Sequence, residues 1–91
     1  MQVKFFAYLR EYTGCKAVNF PYEEDVCHLA HALCARYGEK LRNKMLTEDG
    51  EQLGEEIIIL VNGRHVEHLD GIHTKLVPED VVSIFPVVAG G

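Results

Sequence analysis

Cysteine is scarce, and what there is suits neither a disulfide framework nor a zinc knuckle. Cys15, Cys27 and Cys34 are the 3 cysteines of 91 residues. No two form a C-x-x-C pair, and an odd count leaves one without a mate. That usage fits a reducing compartment. No apolar run approaches the ~20 residues of a membrane-spanning helix, so no membrane role is expected. The N-terminus, Met1-Gln2-Val3-Lys4-Phe5, starts directly as a strand and lacks a signal-peptide pattern. A cytoplasmic protein is therefore expected. No basic stripe offsets the formal net charge of -5, so a phosphate backbone would be repelled and nucleic acid is not an expected partner. A protein with a basic face suits that charge. Internal repeats and low-complexity segments are also lacking.

What is present has the balance of an ordinary globular domain, 47% apolar and 25% charged. A chain of this size buries roughly 60–70% of its unfolded surface, enough for one core. Residues 2–9 alternate as a strand, with Val3, Phe5, Ala7 and Leu9 on the core face and Gln2, Lys4, Phe6 and Tyr8 on the other. Arg10 to Gly14 read as a turn, and Ala17-Val18-Asn19-Phe20 as the returning strand. Pro21 and Glu23-Glu24-Asp25 mark a helix start, where negative charge is favoured. Val26, Leu29, Ala30, Leu33 and Tyr37 then recur at helical spacing, and Gly38 is a natural stop. A second short helical piece is expected over 39–46.

Residues 47–56 are polar, acidic and contain two glycines, Gly50 and Gly54, and read as a loop. Ile57-Ile58-Ile59-Leu60-Val61 is a β-branched run too short for a helix, and Asn62-Gly63 after it is a strong hairpin signal. Arg64-His65-Val66-Glu67 reads as the return strand, Asp70-Gly71 as a turn, and 81–86 as the last strand. The expected class is α+β: a β-grasp, a mixed sheet of four to five strands with one main helix packed on one face. The helix is the crossover that lets the first and last strands lie parallel at the centre.

The last strand runs on through Phe85-Pro86-Val87-Val88-Ala89 to Gly90-Gly91. A chance Gly-Gly ending occurs in roughly one chain in 200, so its weight comes from the setting, a few residues past the final strand of a small β-grasp. A domain over 1–86 with a flexible tail over 87–91 is expected.

The Val-Lys-Phe-Phe-Ala-Tyr-Leu-Arg-Glu opening, the Leu60-Val61-Asn62-Gly63 hairpin and the Phe85–Gly91 ending resemble the MoaD/ThiS family of ubiquitin-like sulfur carriers. The likeness spans nearly the whole chain. It is strongest to the MoaD branch, the small subunit of molybdopterin synthase, and to the ubiquitin-like small archaeal modifiers. Thiamine-type carriers are shorter and seldom carry an insertion like 39–56. Where the family usually has an x-Gly-Asp turn before the last strand, this chain has Pro78-Glu79-Asp80.

The resemblance implies that the Gly91 carboxylate is adenylated and then converted to a thiocarboxylate that donates sulfur in molybdenum or tungsten cofactor assembly. The chain would then be a substrate and sulfur donor rather than an enzyme. It would hold no cofactor or metal itself, since MgATP belongs to the activating partner. The implied partners are an adenylating enzyme of the ubiquitin-activating type (MoeB/ThiF-like), the large subunit of molybdopterin synthase, and a sulfurtransferase or other persulfide donor. A carboxylate is a poor electrophile, which is why it must become a mixed anhydride first. Gly90 and Gly91 lack a Cβ, so they thread a narrow channel and let partner atoms approach the carbonyl.

A tail of this kind needs a body that partners recognise. Val82 and Ile84 suit the core, which turns Val81, Ser83 and Phe85 outward beside Phe6 of the first strand. Two aromatics on the open side of a sheet suit a partner surface, the alternative being that they fill a core or cover a sheet edge. The family carries hydrophobic contacts at the positions matching Phe6 and Phe85, and Pro86, Val87, Val88 and Ala89 are expected to bind the partner as well.

Other chemistry-bearing residues read as background. Cys27 and Cys34, seven apart on one helix flank, suit small buried hydrophobes better than sulfur-relay thiols. Glu24, His28 and His31 share a solvated helix face, and His65, His68 and His73 a second group; neither has a closed ligand set. Residues 47–56 lack the ligand spacing of a calcium loop. Other readings stay open: a ubiquitin-like modifier conjugated to lysines through Gly91, a thiamine-type carrier, a binding module with an inert tail, and a thiol enzyme.

Overall fold

A computed structural model describes residues 1–87. Five strands form one mixed sheet: β1 (Gln2–Phe5), β2 (Ala17–Asn19), β3 (Ile57–Val61), β4 (Arg64–His65) and β5 (Val81–Pro86), in spatial order β2-β1-β5-β3-β4. The central pair β1 and β5 is parallel, with Val3 opposite Val82 and Phe5 opposite Ile84. The neighbouring pairs, β1 with β2 and β3 with β5, are antiparallel. This is the β-grasp arrangement, and the chain needs its long excursion between β2 and β5 to bring the last strand home parallel.

Burial alternates strictly along β3 and β5: Ile57, Ile59, Val61, Val82 and Ile84 are buried, and Ile58, Leu60, Val81, Ser83 and Phe85 are half-exposed. Against the buried face lie α2 (Val26–Tyr37) and α3 (Glu39–Met45). Helix α2 contributes Val26, Leu29, Ala30, Leu33 and Cys34 to the core. Helix α3 adds Leu41 and Met45, both fully buried. The helical layer is thus two helices deep in sequence.

Helix α2 starts where its cap says it should. The Asp25 carboxylate accepts the His28 backbone N–H at 2.8 Å and the His28 ring N–H at 2.7 Å. One acceptor thereby satisfies an orphan donor of the first turn and holds a histidine. Burial pushes the Asp25 carboxyl up, but the two His28 bonds and the nearby positive charges of His28 and Lys75 outweigh it, leaving it below its ordinary value. His28 is raised, first by the Asp25 hydrogen bond and then by the charge of that carboxylate.

Five expectations require correction. The first strand ends at Phe5 rather than running to residue 9. Ala7 adopts φ +52° and is exposed, so it lies outside the core. Leu9 does reach the core, but from a helix, α1 (Leu9–Thr13), which occupies the expected turn. Arg10 explains the reversal: its Nε donates to the Phe5 carbonyl at 2.9 Å, while the Leu9, Arg10 and Glu11 N–H groups return to Phe6, Ala7 and Tyr8. Phe20 is buried but follows β2 rather than belonging to it, and the return strand after Asn62-Gly63 stops at His65, where the chain turns into a 3-10 helix over Val66–His68.

The acidic segment 47–56 is a loop, and it is firmly tied. The Thr47 N–H donates to the Gln52 carbonyl and Thr47 Oγ1 accepts the Gln52 N–H, Arg42 donates to the Thr47 and Glu48 carbonyls, and His31 Nε2 meets the Gly50 carbonyl at 2.9 Å. At Gly54 the loop docks on α3, its N–H donating to the Met45 carbonyl at 2.9 Å. A Cβ there would overlap the Lys44 carbonyl oxygen.

Two outcomes follow from these contacts. Gly54→Ala, forcing a methyl into backbone, should lower stability in urea melts by roughly 2 kcal/mol, whereas Gly63→Ala meets open space and strains only its positive φ. For the cap, a depressed carboxyl gives stability that is lost as pH falls through its folded value. A raised histidine gives stability present below about pH 6.5 and lost as pH rises through its folded value. Asp25→Asn keeps an N-cap but removes the charge. The melting temperature of the native chain should therefore drop more between about pH 6 and pH 8.5 than that of Asp25→Asn; parallel curves would show that the pair is not coupled to folding.

Candidate functional site: the open sheet face and the strand exit

Phe6 and Phe85 come together as expected. Phe6 lies one residue beyond β1, and its N–H donates to the Ile84 carbonyl at 3.1 Å, continuing the parallel ladder by one rung. That rung sets its ring against the Phe85 ring, with centroids 4.1 Å apart and planes 10° from parallel. The Arg10 guanidinium sits 5.4 Å from the Phe6 ring centre, held there by its bond to the Phe5 carbonyl. Ile58 is the cross-strand partner of Phe85, so an apolar row, Phe6-Phe85-Ile58, runs across the open face. Leu60 lies on the same face, opposite Ser83 and His65.

The exit of β5 lies at the end of this row. Pro86 is buried and opposite Ile57, so its ring belongs to the body of the domain rather than to an open contact face. Val87 is 39% exposed, yet its N–H donates to the Glu56 carbonyl at 2.9 Å. Val87 therefore still touches the body at the point where the tail was expected to begin. Val88, Ala89, Gly90 and Gly91 lie outside the described residues.

A second aromatic-cation group surrounds the same exit. Lys44 Nζ meets Glu56 Oε2 at 3.0 Å and lies 5.7 Å from the Tyr8 ring, which packs edge-on against Tyr12 at 5.5 Å. The Glu56 hydrogen bond, together with its charge, raises the Lys44 ammonium above its ordinary value despite an opposing desolvation. The residue that carries the last main-chain contact of β5 is thus also tied to α3.

Sequence reasoning missed Ile58, Leu60, Arg10 and the Lys44–Glu56 pair. The first two were within reach, since Ile57, Ile59 and Val61 cannot face the core without turning Ile58 and Leu60 outward. Arg10 needed the chain reversal, and Lys44–Glu56 spans two distant segments.

The thiols do not join this site. Cys34 is buried, and burial pushes its thiol up to about 11, against a lesser opposing pull from Arg42. Cys15 Sγ lies 3.9 Å from the Tyr37 hydroxyl. Of the expected helix-face group, Glu24 and His28 do approach, with Asp25, to metal-ligand spacing. His31 instead turns to the Gly50 carbonyl. Among the described residues no helix is long and apolar enough to cross a membrane.

Comparison with known proteins agrees with this geometry. The ThiS family model matches residues 3–91. Small archaeal modifier protein 3 of Haloferax volcanii is 40% identical over 93 residues, covering 100% of this chain and 98% of that protein. The solution structure of small archaeal modifier protein 1 from Methanosarcina acetivorans superposes with a TM-score of 0.80 at 33% identity, over 99% of this chain and 94% of that one. A chain from the crystal structure of the Amycolatopsis orientalis BexX/CysO complex gives a TM-score of 0.84 at 26% identity, covering 99% of this chain and 98% of its own.

The aromatic pair should behave as surface, not core. Phe6→Ala and Phe85→Ala should each cost about 1 kcal/mol in urea unfolding, with a double-mutant coupling of roughly 0.5–1.5 kcal/mol for the stacked rings. Ile84→Ala, from the fully buried centre, should cost about 2–5 kcal/mol. Equal losses at all three positions would place the pair inside the core.

Proposed function

The chain belongs to the ThiS family of ubiquitin-like sulfur carriers, and from that premise we propose that it donates sulfur through the Gly91 carboxylate in molybdopterin assembly, as the small subunit of the synthase. The observation that supports this reading most is a family match that runs through residue 91, including Gly90-Gly91, on a β-grasp body. An adenylating partner binds MgATP, joins AMP to the Gly91 carboxylate and releases pyrophosphate. The terminal sulfur of a persulfide displaces AMP and leaves an acyl disulfide. A second thiol then takes the outer sulfur as a new disulfide, and Gly91 is left as a thiocarboxylate. That group is ionised and polarisable, which makes it a nucleophile toward a carbon held by the large subunit, much as thiolate is for cysteine.

In this reading the chain is a substrate and donor in the cytoplasm, and catalysis belongs to its partners. The adenylating enzyme, the sulfurtransferase and the synthase subunit each need the same exit and neighbouring face. The row Phe6-Phe85-Ile58 supplies an apolar centre, and Arg10 supplies a charged edge. An aromatic centre with an arginine beside it is the composition that dominates the energetics of protein contacts.

A second reading is favoured by one finding, the 40% identity to a protein named as a modifier. The same adenylate, attacked by a lysine amine directly or through a thioester, yields an isopeptide bond. The two readings share the activation step and differ in which nucleophile the partner presents.

Intact mass of the chain produced beside its native activating enzyme and sulfur source tests this. A gain matching exchange of one oxygen for sulfur, placed on Gly91 by fragmentation and lost on deletion of Gly91, is the expected result. Isopeptide remnants on other proteins with no such gain would transfer the assignment to conjugation. Phe85→Ala should slow the gain by about tenfold at limiting carrier, a loss of roughly 1.4 kcal/mol in docking.

A further inference from the structure

A cavity of about 260 Å³ opens between loop residues 52–55 and the turns that follow β4. It lies on the helical side of the sheet. Ile57 and Ile59, which line it, alternate along β3 with Ile58 and Leu60 of the open face. Its floor is apolar: Ile59, Val66 and Ile72 are buried, and half-buried Leu53 forms a wall. Its rim carries two exposed carboxylates, Glu55 and Glu67, and among the described residues no lysine or arginine lines it. The nearest ion-pair partner of Glu67 is His65, with Nε2 3.9 Å from the carboxylate, and the Glu67 side chain is 79% exposed.

We propose that this cavity receives the lysine or arginine side chain of an extended segment of a partner protein. The volume falls just short of the ~300–1,000 Å³ of small-molecule sites, which suits one long side chain. A lysine or arginine stem covers apolar surface while its cation stays at a wet rim, and here that rim holds two carboxylates. A purely apolar side chain would leave those carboxylates without a partner charge, and an acidic peptide or phosphate would be repelled by them. The formal net charge of -5 draws a basic segment in from a distance. The cavity and the Phe6-Phe85 row lie on opposite faces of the sheet, and the cavity wall adjoins the β5 exit, where Ile57 pairs with Pro86 and the Glu56 carbonyl takes the Val87 N–H. The inference does not rest on the sulfur-carrier reading.

The test titrates the full ¹⁵N-labelled chain with N-acetyl-arginine methylamide at about pH 7.5, where an ordinary histidine is neutral. Saturable shifts should centre on the amides of Leu53, Gly54, Val66 and Gly71, with a Kd on the order of millimolar. The neutral isostere N-acetyl-citrulline methylamide should bind at least fivefold more weakly. The double variant Glu55→Gln/Glu67→Gln, retaining a native spectrum, should lose about tenfold in affinity, and Phe6→Ala should leave it unchanged. Shifts centred on residues 23–25 or 48–51, equal binding of the neutral probe, or no saturation at tens of millimolar would each overturn the proposal.

Discussion

The parallel pairing of β1 with β5 is the contact on which the rest depends. Two strands that begin at the same end of a sheet cannot be joined by a short turn. Everything between β2 and β5 is in part a consequence of that requirement. The excursion must cross the sheet, and a crossing segment over an apolar face is most simply an amphipathic helix, which α2 supplies. Once Val3 stands opposite Val82 and Phe5 opposite Ile84, the core is defined from both strands at once. A slip of one residue would turn Phe85 inward and Ile84 out, so the register is held by the burial of every second side chain.

The same pairing places the exit. Parallel strands finish at the same end, so Phe6 and Phe85 become neighbours there whatever the intervening chain does. Their stacking on the wet side of the sheet is therefore no accident of a loop; it is written into the two strands. The ladder from β3 extends to the Val87 N–H through the Glu56 carbonyl, and Glu56 is held to α3 by Lys44. The segment beyond is thus launched from a fixed point beside an apolar row. A partner that meets the open face therefore meets the Val87 end of the described chain at a fixed displacement from that face.

Much of this was legible in the chain. Ile57–Val61 was bounded correctly because a β-branched run meets Asn62-Gly63, and both residues take the positive φ that a two-residue hairpin demands. The extent of α2 followed from the acidic start, the apolar stripe and Gly38. The chain reversal after Phe5 was not legible. Val3, Phe5, Ala7 and Leu9 satisfy a period of two, and nothing in that pattern weighs a hydrogen bond from Arg10 back to the Phe5 carbonyl. Local alternation lost to a side-chain-to-backbone contact that also ends the strand. The cavity beside Glu55 and Glu67 was equally hidden, since its walls come from segments that no window of sequence brings together. The loop 47–56 was read correctly as polar, but its anchoring was not: it rests on Arg42, His31 and Gly54, whose roles appear only when α3 lies alongside.

The choice between sulfur transfer and conjugation is not made by the domain itself, and the reason is chemical. Both begin from an acyl-adenylate, and both need the terminal carbonyl to be approached by a nucleophile on another protein. Nothing on the body can favour a persulfide over an amine, because selection among nucleophiles is a matter of which one a partner positions within reach. What the body can select is the partner. An open face with stacked aromatics and an acid-rimmed cavity on the other face offer two criteria, one apolar and one electrostatic. Discrimination by two surfaces adds their free energies where the partner has both features. It withholds one of them where the partner has only one. On the reading proposed above, one diglycine chemistry is directed to different ends without change at Gly91, by varying residues of the body.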